Sequence, residues 1–229
     1  MTTLLNNKFF IVFLAPFLLG GLTILGFSPY NFTFVNFFSF SILLFLILII
    51  KKRTQSKYRK KKSNRYFFYL GCAFGFGFFL FGNYWISIAL THDEMFKVLI
   101  PFSLILIPLF LALFFGLAIL IVGAFAEKNI YFILLFSLVF SMFEYLRGNL
   151  FTGFPWNLIS YTWSWSVEVV QILSLIGVYS LSLISITFFC IPFLFFQKKI
   201  FKKNILFILI FSIIFVGNYS YGFFKSKFR

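Results

Sequence analysis

The stretch Glu144-Tyr-Leu-Arg-Gly-Asn-Leu-Phe-Thr-Gly-Phe-Pro-Trp-Asn157 places an acid and a base three residues apart at the end of a strongly apolar run. That run, 130–147, is close to the roughly 20 residues that an α-helix needs to cross a bilayer. Glycine and proline interrupt the helix pattern directly after Arg147. Because ionisable residues are costly inside a membrane, this pair indicates a specific role.

The composition of the whole chain indicates a membrane protein. Of its 229 residues, 62% are hydrophobic and 11% are charged, and the mean hydropathy is +1.01. A soluble domain is nearer half apolar and a quarter charged. We interpret the 42 Phe residues as a compositional bias that fills lipid-facing positions. The chain is therefore predicted to be an integral membrane protein, and helices satisfy their own backbone groups in lipid.

Several apolar segments are long enough to span a bilayer. The predicted fold class is all-α, a bundle of about seven transmembrane helices that forms a single transmembrane domain over 1–229. The first segment lacks an A-x-A cleavage site and more spans follow it, so we interpret it as a retained helix rather than a signal peptide. The predicted spans are 8–27, 33–50, 66–90, 97–125, 130–147, 168–197 and 204–222.

The net charge of +15 is concentrated in two basic segments between apolar runs, 51–65 and 198–203. Such segments beside membrane helices indicate the cytoplasmic side, and they attract anionic lipid head groups. With 51–65 in the cytoplasm, the N-terminus is cytoplasmic too, and the loops 91–96 and 148–167 face the other side. A nucleic-acid partner is not predicted, because the basic segment has no folded platform of its own.

Metal and nucleophile chemistry find no support in the pattern of Cys and His. Cys72 and Cys190 both fall inside apolar runs, and His92 is the one histidine of the chain. Neither a disulfide framework nor metal-ligand spacing is available. No cofactor, no metal site and no catalytic residue is therefore predicted within this chain.

Glu144 and Arg147 share one helix face because they are three residues apart. Two interpretations stay open. In the first, the two charges offset part of each other's desolvation and anchor the helix end. In the second, Arg147 also meets a lipid phosphate or an acidic group of another domain. An unpaired charge at the bilayer centre costs about 2.5–3.5 kcal/mol on insertion scales, so either interpretation requires a partner.

Aromatic residues follow the helix break. Trp163 and Trp165 are interpreted as an ordinary interfacial aromatic belt. Trp156 lies inside the helix-breaking run, between Pro155 and Asn157. Non-helical backbone at this depth must be buried in protein or line a cavity. Trp156 is therefore the better candidate for the wall of a lipid pocket.

Small and polar residues mark the third span. Gly71-x-x-x-Gly75 is a small-xxx-small pattern that predicts close helix packing. Asn83 lies near the end of this span and is followed by Tyr84 and Trp85. In lipid the Asn83 amide needs a hydrogen-bond partner. Another helix or the head group of a substrate could supply it.

Three stretches together resemble the bacterial apolipoprotein N-acyltransferases. The most specific is 144–157, which is similar to the family motif E-[WY]-L-R-G followed by T-G-F-P-W. The stretch 75–85 resembles the third-span motif of the family. The stretch 171–182 resembles its following segment, with Ser180 at a position where glycine is usual. The resemblance runs from about Gly26 to the C-terminus.

This resemblance implies a multi-pass enzyme of the bacterial inner membrane that acts in lipoprotein biosynthesis. The family moves an acyl chain from a phospholipid to the N-terminal diacylglyceryl-cysteine of a lipoprotein, through a thioester enzyme. Its nucleophilic Cys belongs to a Glu-Lys-Cys triad in a nitrilase-like domain inserted after the seventh span. The chain ends at Arg229, near the expected start of that domain, so we expect this chain alone to be inactive.

The role implied for this chain is to bind phospholipid and diacylglyceryl lipoprotein and to dock a nitrilase-like domain, which could be separately encoded. A non-enzymatic membrane scaffold derived from the family is the alternative. A small-solute transporter is less favoured, because the sequence shows no internal repeat. The candidate lipid-binding residues are Glu144, Arg147, Pro155, Trp156, Asn157, Asn83, Tyr84 and Trp85.

Overall fold

A computed structural model describes residues 7–54, 60–151, 153–196 and 202–227, and its secondary structure over these ranges is helical without any strand. A π-helical segment at Phe10–Leu14 continues into the first α-helix. The longer helices are α1 (Ala15–Ile24), α2 (Val35–Thr54), α3 (Lys60–Asn83), α5 (Ile100–Ala124), α6 (Ile130–Asn149), α8 (Leu173–Phe189) and α9 (Lys202–Lys227). Two short helices, α4 (Trp85–Ala89) and α7 (Val167–Val170), accompany 3-10 turns at Leu90–His92, Glu94–Leu99, Ile159–Trp163 and Ile191–Phe196.

The prediction of an all-α, multi-pass membrane protein is confirmed. Six helical stretches among the described residues are long and apolar enough to cross a membrane: Val35–Thr54, Ser63–Asn83, Glu94–Ala124, Ile130–Asn149, Leu173–Phe195 and Lys202–Lys227. The seventh predicted span, 8–27, corresponds to the shorter apolar helix Phe10–Ile24. The count of about seven therefore holds as an approximation.

Two predicted spans contain breaks that periodicity did not indicate. The predicted span 66–90 is divided, because α3 ends at Asn83 and α4 begins at Trp85. The predicted span 168–197 contains the short helix α7 and then α8, in which Gly177 has φ 74° and ψ 171°. Glycine adopts such a backbone readily because it has no Cβ. Of the second predicted basic segment, Lys198 and Lys199 lie outside the described residues.

The chain divides into two compact units. Unit 1 comprises Met1–Ile24 and Phe45–Ala126, and unit 2 comprises Leu25–Leu44 and Glu127–Arg229. The division passes through α2, so the two halves of that helix belong to different units. The single transmembrane domain over 1–229 remains a prediction.

In unit 1, α3 packs against both α1 and α5. A Cβ added at Gly71 would lie 2.5 Å from the Phe115 carbonyl oxygen, and one at Gly75 would lie 2.9 Å from Ala112 Cα. On the other side, a Cβ at Gly77 would lie 2.1 Å from the Phe17 carbonyl oxygen. The close packing predicted from Gly71-x-x-x-Gly75 is therefore confirmed, because only glycine lets these backbones approach so closely.

Phenylalanine fills the interior of each unit as well as lipid-facing positions. In unit 1, the rings of Phe79 and Phe115 lie 5.0 Å apart between α3 and α5. In unit 2, the Phe40 ring meets the Phe140 ring edge-on at 5.8 Å. Edge-to-face aromatic pairs contribute beyond their buried area. The interpretation of phenylalanine as a lipid-facing filler is therefore too narrow.

Helix α9 packs against α7 in unit 2 through a glycine that leaves no room for a side chain. A Cβ at Gly222 would lie 1.8 Å from the Glu168 carbonyl oxygen, whereas a Cβ at Gly217 of the same helix would meet nothing within 4 Å. Four residues before Gly222 in α9, Asn218 Nδ2 donates to the Val169 carbonyl oxygen of α7 at 3.2 Å. Gly222 is therefore the contact point of the two helices.

We expect Gly222→Ala to destabilise the fold by about 1–3 kcal/mol, since the added methyl group forces the two backbones apart. Gly217→Ala is the matched control in the same helix. Gly217→Ala should change the free energy of unfolding by less than about 1 kcal/mol. Any change should be stabilising, because alanine has a higher helix propensity than glycine. Thermal unfolding of both purified variants in detergent measures the difference. Equal midpoints for the two variants would contradict the packing.

Candidate functional site

The acid and the base of the 144–157 stretch are buried at the end of α6. The helix begins with Asn129, whose side-chain oxygen accepts a hydrogen bond from Phe132 N at 2.9 Å. Such a cap satisfies one of the free N–H groups of the first turn. At the other end, Glu144 is 0% exposed and Arg147 is 1% exposed. Charges buried this completely need partners.

Arg147 holds the chain that follows the helix. Its Nη1 atom donates to the carbonyl oxygens of Phe154 and Trp156, both at 2.7 Å. In return, Phe154 N donates to the Arg147 carbonyl oxygen at 3.0 Å. Hydrogen bonds from a charged donor are short and strong. We call residues 153–159, which these contacts fold back onto α6, the clamped loop.

Glu144 holds the far end of the clamped loop. Its Oε1 atom accepts a hydrogen bond from Ile159 N at 3.0 Å. The Ser182 hydroxyl of α8 lies close to the same carboxyl group and accepts a hydrogen bond from Ser160 N at 3.1 Å. Glu144 and Arg147 also attract each other electrostatically. The two buried charges therefore fix the two ends of one loop.

Two glycines allow the loop to turn so tightly. A Cβ at Gly148 would lie 2.1 Å from the Tyr179 hydroxyl oxygen. Gly153 has φ +72°, and a Cβ there would lie 2.7 Å from the Gly148 carbonyl oxygen. Asn157 also adopts a positive φ, 53°, which asparagine tolerates better than most residues. The helix-breaking residues of the motif thus have distinct local roles.

The tip of the clamped loop is exposed. The Trp156 side chain is 53% exposed, Pro155 beside it is also exposed, and Asn157 is half-buried. The structure therefore brings five of the predicted site residues together in unit 2, in two layers. Glu144 and Arg147 form the buried layer that holds the loop, and Trp156 forms the surface that a ligand could touch.

The other three candidates lie in unit 1, at the break between α3 and α4. Asn83 is buried, whereas Tyr84 and Trp85 are exposed. The Tyr84 carbonyl oxygen accepts a hydrogen bond from the Ser87 hydroxyl at 2.6 Å. These three residues belong to unit 1 and the other five belong to unit 2. A single site that includes all eight residues remains a prediction.

The belt interpretation is wrong for Trp163. This residue is only 8% exposed, and its ring stacks on Phe189 at 5.6 Å. Its indole N–H donates to the Ser185 hydroxyl at 2.9 Å. Since a buried indole N–H needs an acceptor, Trp163 is a core residue of unit 2.

Sequence reasoning missed the polar residues that fasten the segment after the clamped loop. The Thr33 hydroxyl donates to the Thr162 carbonyl oxygen at 2.8 Å and accepts from the Trp165 indole N–H at 2.7 Å. In α8, the Ser182 hydroxyl accepts a hydrogen bond from Ser160 N, and the Ser185 hydroxyl accepts one from Trp163 Nε1. The sequence did contain a signal for these contacts, because Ser160 and Trp163 are three residues apart and so are their partners Ser182 and Ser185. Within the described ranges, no group of three His, Cys, Asp or Glu residues could hold a metal ion.

Comparison with known proteins gives a consistent result. Residues 19–191 match the family model described as the apolipoprotein N-acyltransferase N-terminal domain. The chain is 41% identical over 138 residues to a protein named apolipoprotein N-acyltransferase from Rickettsia bellii, a match that covers 60% of this chain and 28% of the relative. The relative of the same name from Rickettsia prowazekii is 42% identical over 137 residues, which cover 59% of this chain and 27% of the relative.

A third relative extends the match. The protein named apolipoprotein N-acyltransferase from Rhizobium rhizogenes is 29% identical over 180 residues, which cover 78% of this chain and 33% of the relative. The matched stretches thus span about a quarter to a third of the length of these relatives. The stretch matched by the family model contains α6 and the whole clamped loop.

Proposed function

This chain belongs to the apolipoprotein N-acyltransferase family, and from that premise we propose that it forms the membrane part of an acyltransferase that modifies bacterial lipoproteins. The match of residues 19–191 to the N-terminal domain of the family carries the proposal. The acyl donor would be a phospholipid, and the acceptor would be the N-terminal diacylglyceryl-cysteine of a lipoprotein. The enzyme would act in the inner membrane, where both substrates are embedded.

The chemical step is assigned to a nitrilase-like domain from outside these 229 residues. A cysteine thiol of that domain attacks the phospholipid ester, which forms a thioester and releases a lysophospholipid. The amine of the lipoprotein then attacks the thioester, which forms an amide and restores the thiol. Cys190 is fully buried and Cys72 lies within α3, so neither thiol suits this step.

In this proposal the clamped loop is the rim at which acyl chains reach the catalytic domain. Trp156 presents an amphipathic ring of the kind that settles at the level of lipid head groups. Glu144 and Arg147 act as positioning residues, because they are buried and hold the loop backbone. Asn83, Tyr84 and Trp85 are proposed as further lipid contacts, and the nitrilase-like domain would dock beside these residues.

A chimaera tests the proposed function. Residues 1–229 replace the corresponding N-terminal part of the Rickettsia bellii relative, and the product is tested in a strain depleted of its own N-acyltransferase. Mass spectrometry of lipoprotein N-termini then reports acylation. A membrane-inserted chimaera without acylation, beside an active intact relative, would overturn the proposal in favour of a scaffold.

Trp156→Ala in that chimaera is expected to lower acylation at least tenfold with a smaller effect on stability than a core substitution, because the side chain is 53% exposed. Trp165→Ala is the matched control, since its side chain is 54% exposed in the same segment. It should lose the hydrogen bond to Thr33, at about 1 kcal/mol, and retain acylation. Equal activity of both variants would remove Trp156 from the substrate rim.

A further inference from the structure

Unit 1 contains a cavity whose rim is basic and whose floor is apolar. Its volume is about 190 Å³, and it is lined by Lys8, Ile11, Val12, Ile50, Arg53, Thr54 and Tyr66. Ile11, Val12 and Ile50 are 1–3% exposed and form the floor. Lys8 and Arg53 are exposed at the mouth, and Tyr66 is half-buried beside them.

The cavity lies on the side of the membrane that the basic segments assign to the cytoplasm. It is formed where the first helix begins, α2 ends and α3 begins. These three points share one side, because consecutive spans run in opposite directions. The segment 51–65, which includes the end of α2 and the start of α3, carries the densest positive charge of the chain, so it indicates the cytoplasmic side.

Hydrogen bonds give the mouth a fixed wall. The Thr54 hydroxyl donates to the Ile50 carbonyl oxygen at 2.7 Å and lies 2.8 Å from the Ser63 hydroxyl of α3. Thr54 also borders a second cavity of about 370 Å³, which is lined by Lys51, Thr54, Ser63, Asn64, Phe67, Gly123 and Ala124. Thr54 thus borders both a cavity lined by two cationic side chains and a cavity lined by one.

The pattern of charge and size matches one class of ligand. Two cations and a phenol can hold a phosphate group, and the apolar floor suits the first carbons attached to it. The seven residues that line the cavity make a site of head-group size, too small to enclose acyl chains as well. The chains of a bound lipid would therefore remain in the bilayer.

We propose that this cavity binds the phosphate of an anionic phospholipid of the cytoplasmic leaflet, between Lys8 and Arg53 over the floor of Ile11, Val12 and Ile50. This lipid is separate from the acyl donor of the proposed function, because the site involves none of the clamped-loop residues. Its occupancy does not depend on acyltransferase activity. A lipid at this place would link the first helix to the α2–α3 corner.

Native mass spectrometry of the purified full chain tests the site. The protein is mixed in detergent with phosphatidylglycerol and phosphatidylcholine, and the retained lipid is counted. The wild type is expected to retain phosphatidylglycerol preferentially. Lys8→Ala and Arg53→Ala should each weaken retention about fivefold, and the double variant about 25-fold, as expected for cations near an anionic head group. Lys52→Ala is the matched control, because Lys52 is exposed on the same turn but lines neither cavity.

Further arms separate the possible outcomes. Displacement of phosphatidylglycerol by millimolar inorganic phosphate would show that the site binds the phosphate group alone, which overturns the lipid assignment. Ile50→Phe fills the floor without changing charge and should reduce retention if the monodisperse protein is recovered. An equal effect of Lys52→Ala and Lys8→Ala, with none from Ile50→Phe, would mean diffuse surface attraction and would overturn the proposal.

Discussion

Arg147→Ala is expected to abolish support of lipoprotein acylation while membrane insertion stays intact. The variant loses two short hydrogen bonds from Nη1, to the carbonyl oxygens of Phe154 and Trp156, each of which contributes about 1.5–3 kcal/mol as a charge-assisted bond. It also leaves the Glu144 carboxylate buried without its nearby positive charge, a situation that costs about 3–5 kcal/mol. Insertion depends on the apolar length of α6, which the substitution does not change.

The measurement combines acylation by the chimaera with protease sensitivity of the clamped loop. We expect at least a hundredfold loss of acylation and faster cleavage near Trp156. Arg147→Lys keeps the charge but lacks the planar fork, so we expect partial activity from it. Arg65→Ala, at an exposed position on α3, is the control for a general loss of positive charge. Full acylation by Arg147→Ala would remove Arg147 from the proposed site.

Glu144→Ala is expected to destabilise unit 2 by about 3–5 kcal/mol, because it leaves the Arg147 guanidinium buried without its acidic partner. It also removes the acceptor of Ile159 N. Glu144→Gln retains an acceptor at this position, so its loss should be smaller, about 1–2 kcal/mol. Thermal unfolding of the purified proteins in detergent measures both values.

A double-mutant cycle tests whether the two charges act together. Removing both Glu144 and Arg147 eliminates both buried charges, so the double variant should lose less stability than the sum of the single losses. A coupling of about 1–3 kcal/mol is expected for residues in one network. Additive losses would show that each residue holds its end of the loop independently of the other.

The sequence alone was sufficient for the class of fold and for the existence of a helix break near Arg147. Apolar runs near 20 residues determine membrane helices because the bilayer thickness requires that length. A helix break after Arg147 was predicted from Gly148, Gly153 and Pro155, and α6 ends two residues later, at Asn149. The close packing at Gly71 was also predictable, because small residues at spacing four have few other uses in lipid.

The partners of the buried charges could not be predicted. Spacing suggested that Glu144 and Arg147 interact with each other, and the structure shows that they also bind backbone groups of the clamped loop. Every residue type except proline offers the same backbone groups, so the sequence does not indicate which residue supplies the backbone partner of a charged side chain. Trp163 was misassigned for a related reason, because a tryptophan near a span end looks the same whether its ring faces lipid or Ser185.

The clamp also has a consequence for how the protein is made. Arg147 reaches carbonyl groups seven and nine residues along the chain, and Glu144 reaches an amide fifteen residues along. Short loops of this kind close at low entropic cost and rapidly. These three hydrogen bonds can therefore form as soon as residue 159 has been synthesised, before α8, which adds Ser182 beside the Glu144 carboxyl group, and before α9.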